Sequence, residues 1–121
     1  MIVPSTGVFV RTAIRPAAPP PPPPTTVTHI DTTGNVAAGE MKAFSMDVVA
    51  GRKVLIRTFS TADVDLYIQF GAAPTTEAYL MRGYTSTGNE TISYTPTSNG
   101  KLHIGVHGYA AGAFTLRTAD N

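Results

Sequence analysis

Six consecutive prolines, Pro19, Pro20, Pro21, Pro22, Pro23 and Pro24, divide the chain into two unequal parts. Proline fixes φ and carries no N–H, so the run fits neither a helix interior nor a central strand. With Pro16, Ala17 and Ala18 before it, the segment 16–24 is predicted to be a polyproline II linker. At ~3.1 Å per residue it spans about 28 Å as a semi-rigid rod. An arm, 1–15, precedes the rod, and one domain, 25–121, follows it.

Along the arm, Thr6, Val8, Val10, Thr12 and Ile14 alternate with Gly7, Phe9, Arg11 and Ala13. That is the period of a β-strand, bounded by Pro4 and Pro16. A strand held off by a rod does not readily fold back onto its own domain. The expected partner is another copy of the chain, joined head-to-tail by strand addition.

The domain is long enough to bury a core. Charged residues make up 14% of the chain and the net charge is +1, so the clustered basic footprint of a nucleic-acid binder is missing. No apolar run approaches the roughly 20 residues of a membrane span. The absence of cysteine excludes disulfides, thiolate metal sites and cysteine nucleophiles. No signal-peptide pattern opens the chain, which reads as cytoplasmic or as a mature or partial form.

Thr, Gly, Val and Tyr are abundant, and no window shows helical periodicity. About eight short strands are predicted: 27–30, 41–49, 52–59, 64–70, 78–82, 91–95, 101–109 and 113–118. Phe44, Met46, Val48, Val64, Leu66, Ile68, Phe70, Ile92, Tyr94, Leu102, Ile104, Val106, Phe114 and Leu116 fall on the inward parity, while in 52–59 Val54, Ile56 and Thr58 share one face against Leu55, Arg57 and Phe59. Ala50-Gly51 is read as a turn and Asn99-Gly100 as a hairpin turn. The expected architecture is an all-β antiparallel sandwich.

Three ordered motifs bear on the family. They are Val49-Ala50-Gly51, the run Asp63-Val64-Asp65-Leu66-Tyr67-Ile68-Gln69-Phe70-Gly71 followed by Pro74-Thr75-Thr76, and Gly105-Val106-His107-Gly108-Tyr109. Arg82-Gly83-Tyr84-Thr85 and Gly88-Asn89-Glu90-Thr91 fit the same template. Over roughly 31–118 the chain resembles the bacterial pre-peptidase C-terminal (PPC) domain. The resemblance implies a jelly-roll-like β-sandwich and an extracellular or cell-surface setting. It also implies a module appended to secreted proteases and other hydrolases, some members binding collagen or polysaccharide. The arm and proline rod are no part of that pattern.

Among candidate site residues, Asp63 and Asp65 share the outward parity of one strand and are the calcium candidates. Two acids alone fall short of the six to eight oxygens calcium takes. The commoner use is structural, with Asp63 capping the turn at Ser60-Thr61-Ala62 and Asp65 bonding a loop or an arginine. His103 and His107 lie about 13 Å apart along one strand, too far to share a zinc ion. No nucleophile elbow, P-loop or dinucleotide fingerprint occurs, so no catalytic residue is assigned and no cofactor beyond possible calcium. Tyr67, Tyr79, Tyr84, Tyr94 and Tyr109 are read as core-edge residues or as a sugar- or collagen-binding face, with a structural role favoured for Tyr109. Thr25, Thr26 and Thr28 after the prolines are possible O-glycosylation sites.

Two readings remain. In the first, the chain is a structural, self-assembling subunit of a filament or other homo-oligomer, with Thr6, Val8, Val10, Thr12 and Ile14 as its interface arm. In the second, it is a non-catalytic accessory domain of a secreted hydrolase that binds an extracellular glycan or a collagen-like substrate. An enzyme, a nucleic-acid partner and a membrane span have no support in the residues.

Overall fold

The computed structural model describes Pro22 and residues 25–121. The predicted arm lies outside the described residues, as does the linker apart from Pro22. Eight strands follow: β1 (Asp31–Val36), β2 (Met41–Val48), β3 (Val54–Phe59), β4 (Val64–Phe70), β5 (Met81–Gly83), β6 (Glu90–Tyr94), β7 (Gly100–Gly108) and β8 (Gly112–Asp120). They form two four-stranded sheets, ordered β1-β8-β3-β6 and β2-β7-β4-β5. Every pairing is antiparallel, and β4–β5 alone joins neighbours in sequence. The other links cross between the sheets, which makes the all-β, jelly-roll-like sandwich that the sequence predicts.

The inward parity supplies the core. Val48, Val54, Ile56, Val64, Leu66, Ile68, Leu102, Ile104, Val106 and Leu116 are wholly buried. Each such side chain contributes roughly 1.5–3 kcal/mol relative to exposure. Phe44 of β2 meets Phe114 of β8 edge-on at 6.0 Å, bridging the two sheets. Tyr94 and Phe70 pack on this core while remaining half-buried.

Two expectations about elements need correction. The first strand is Asp31–Val36, not 27–30. Its Gly34 and Asn35 look like turn residues, but Gly34 faces Phe114, and a Cβ there would stand 3.0 Å from the ring's Cζ. Residues 27–30 instead bridge the sandwich. Thr28 N–H donates to Asp47 O at 3.1 Å, and Ile30 N–H donates to Thr118 Oγ1 at 2.8 Å.

Asn99-Gly100 makes no hairpin, because β6 and β7 belong to different sheets. Asn99 Oδ1 accepts Ala50 N–H at 2.8 Å, tying this link to the β2–β3 turn. Gly100 is required by packing, since a Cβ would stand 2.6 Å from Phe70 Cζ. The Ala50-Gly51 turn forms as expected, with Gly51 at φ 79°.

Candidate functional site

The outer face of β4 and β7 gathers most of the chemistry-bearing side chains. Asp65 and Tyr67 alternate with the core residues of β4, and Asp63 precedes them on the same parity. Register pairs Asp65 with His107, Tyr67 with Gly105 and Gln69 with His103. Thus Asp65 and His107, 42 positions apart, are direct cross-strand neighbours.

Parity alone places Asp65 and Tyr67 toward solvent, yet both are buried, Asp65 to 9% exposure. The β4–β5 connection folds over them. Its Pro74 comes so close to Gly105 that a Cβ there would stand 3.0 Å from Pro74 Cγ. Tyr79 meets Tyr67 edge-on at 5.2 Å, and His107 meets Tyr67 at 6.0 Å from the other side. The Tyr67 side chain beside Arg82 of β5 holds the guanidinium more firmly protonated. The Arg82 guanidinium carbon stands 4.0 Å from the Tyr84 ring centroid and 5.3 Å from that of Tyr79.

These groups border an open cleft of about 630 Å³, with Asp63, Asp65 and His107 low and Tyr84 and Tyr109 at its edges. Burial pushes the Asp65 carboxyl up from its usual range, and the neighbouring Asp63 adds to this. His107 and Arg82 offset it in part. Asp63 Oδ1 and His107 Nδ1 are buried with no hydrogen-bond partner. The cleft therefore holds polar atoms removed from water without full replacement contacts.

The expected structural uses of the two aspartates are not what forms. Ser60, not the Asp63 side chain, closes the preceding turn, with Oγ accepting Ala62 N–H at 3.0 Å and donating to Ala113 O at 2.6 Å. Asp65 feels Arg82 electrostatically but makes no hydrogen bond to it. Among the described residues no group of three or more His, Cys, Asp or Glu is arranged to hold a metal.

The tyrosines divide. Tyr67, Tyr79, Tyr84 and Tyr109 gather on this one face, while Tyr94 packs on the core. Tyr109, expected in a structural role, is 73% exposed, and Tyr84 is 63% exposed. Thr25, Thr26 and Thr28 are exposed, and the Thr28 hydroxyl accepts Asp47 N–H at 2.8 Å.

Sequence reasoning missed Glu90, which supports the rim. At 2% exposure it accepts Thr85 N–H at 3.2 Å and the Thr85 hydroxyl at 3.0 Å, fixing the loop that carries Tyr84. Burial pushes its carboxyl up from the usual range, against the pull of these two bonds. The available signal was parity, since Glu90 shares the face of β6 that carries Ile92 and Tyr94.

The model of the bacterial pre-peptidase C-terminal domain matches residues 42–108. The chain belongs to this family. The match takes in Asp63, Asp65, Arg82, Tyr84, Glu90 and His107, with Tyr109 just beyond it. Alkaline serine exoprotease A of Vibrio alginolyticus is 32% identical over 75 residues, which is 61% of this chain and 14% of that protein. Xanthomonalisin of Xanthomonas sp. (strain T-22) is 41% identical over 49 residues, 40% of this chain and 6% of that protein. The PPC chain thus spans a small fraction of the length of these curated relatives. The crystal structure of the pre-peptidase C-terminal domain of collagenase from Bacillus anthracis aligns with a TM-score of 0.60 and 11% identity. The alignment covers 75% of this chain and 89% of that one, a likeness of fold.

Proposed function

We propose that this PPC chain is a non-catalytic, extracellular accessory domain of a secreted hydrolase, holding a catalytic unit against a polymeric substrate. The observation that carries the reading is the exposed pair Tyr84 and Tyr109 at the edges of one cleft. Large exposed aromatic side chains are unusual in a folded domain and offer flat apolar area with a polar tip. Membership of the pre-peptidase C-terminal family, with similarity to an alkaline serine exoprotease, supports the hydrolase connection.

The non-catalytic part rests on the same cleft. His107 has an unpartnered Nδ1, so no carboxylate orients its ring as a general base requires. The self-assembling filament, placed first on the arm's alternation, draws no support from these relatives. The arm itself falls outside the described residues, and the accessory-domain reading is preferred.

Retention on collagen fibrils, chitin or cellulose tests the proposal. The chain is expected to sediment with at least one of them, and Tyr84→Ala with Tyr109→Ala to abolish this. No retention on any polymer would sink the reading. Light scattering tests the rejected alternative: a monomer is expected with or without residues 1–15, whereas assembly lost on their removal would restore the filament.

A further inference from the structure

The cleft has a charge imbalance that its own residues leave standing. Two carboxyl side chains, Asp63 and Asp65, line it against the single guanidinium of Arg82. Arg82 is already engaged, stacked on Tyr84 and close to the Tyr79 ring. Asp65 is nine-tenths buried and lines the cleft, yet no donor among the described residues hydrogen-bonds to it. Asp63 Oδ1 is likewise buried and unpartnered.

A buried carboxylate without donors is costly, and a ligand that supplies donors and positive charge removes that cost. A planar guanidinium offers five N–H donors, and an ammonium offers three. The walls suit the same chemistry. Arg82 over the Tyr84 ring at 4.0 Å shows that this face accepts a cation on one side. Tyr109 stands exposed and lines the same cleft. A neutral sugar hydroxyl donates a hydrogen bond but leaves the charge uncompensated.

We propose that the Asp63–Asp65 cleft takes the guanidinium or ammonium group of a basic side chain on a protein polymer. The inference deepens the accessory-domain reading by choosing a proteinaceous, basic substrate over a neutral glycan. The incoming cation sits over Asp65, with Tyr84 and Tyr109 flanking its alkyl stem.

The test titrates the full chain with N-acetyl-arginine amide and, separately, N-acetyl-citrulline amide, whose side chain has the same shape without the charge. Backbone amide shifts at Asp65, Tyr84 and His107 are the readout. Saturable shifts with the arginine compound and little response to citrulline are expected. Asp65→Asn should weaken arginine binding about ten- to a hundred-fold. Should Asp65→Asn fail to fold, Tyr84→Leu, at an exposed site, is expected to weaken binding several-fold. Equal response to citrulline, or undiminished arginine binding by Asp65→Asn, overturns the proposal. So do the same shifts produced by calcium chloride with none from arginine. Retention on chitin or cellulose without arginine binding overturns this inference and leaves the accessory domain standing. Arginine binding without retention on any polymer supports the cleft and removes that wider reading.

Discussion

The two faces of β4 differ in a way that its alternation does not reveal. On the inner face Val64, Leu66 and Ile68 belong to the apolar core cluster, and all are fully buried. On the outer face Asp65 and Tyr67 are nearly as buried, but their neighbours are a histidine, an arginine and tyrosines. The inner face gains by leaving water. The outer face leaves water at a cost, because Asp63 Oδ1 and His107 Nδ1 are buried without partners. One strand thus serves stability on one side and, in the function proposed above, recognition on the other.

The largest expected effect lies on the inner face. Leu66→Ala should destabilise by about 2–5 kcal/mol, combining lost transfer energy with an unfilled cavity. Chemical denaturation measures this, and a loss as small as that at an exposed position would dissolve the contrast between faces. Gly105→Ala probes how tightly the outer face is closed. The new Cβ would meet Met41 Sδ at 2.5 Å and Pro74 Cγ at 3.0 Å. Because the methionine end is flexible, a loss near the lower part of about 1–3 kcal/mol is expected by the same measurement.

Acidity separates the faces without touching packing. Burial raises the Asp65 and Glu90 carboxyls above their usual range. For an acid whose value is raised on folding, the stabilising contribution is fully present below the unfolded value. It is lost as pH rises through the folded value. These two groups should therefore make the melting temperature fall as pH climbs from the usual carboxylate range through the raised values. In Asp65→Asn and Glu90→Gln that fall should shrink. A slope unchanged in both variants would mean that these two carboxyls are better solvated than the structure shows.

The smallest stability effect belongs to the rim. Tyr84→Ala and Tyr109→Ala should each change stability by no more than about 0.5 kcal/mol, as is usual at exposed positions. Polymer retention should nevertheless disappear. A large drop in melting temperature would make these tyrosines structural and undo the division of labour.

Much of the sandwich is legible in the sequence. Period-two alternation in 64–70 and 101–109 names the core residues Val64, Leu66, Ile68, Leu102, Ile104 and Val106, because parity on a strand is fixed by its geometry. Asp31–Val36 is not legible, because glycine there answers to the Phe114 ring rather than to a turn. The Asn99-Gly100 signal misleads for a related reason. A turn sequence sets local backbone shape, while partner choice is set by which sheet each strand joins. In the site, the two aspartates and four of the five tyrosines were visible as candidates, but Arg82 and Glu90 were not weighed.

By itself, then, the sequence determined the all-β class, the inward set of side chains and the family, since these follow from alternation and from motifs contiguous in the chain. Tertiary structure alone decided that Asp65 faces His107 and that Pro74, Tyr79 and Arg82 close over the outer face. Pairing between strands far apart in sequence, and the path of the β4–β5 connection, bring those groups together. Neither is written in local periodicity, which fixes on which side of a strand a residue stands but not what covers it.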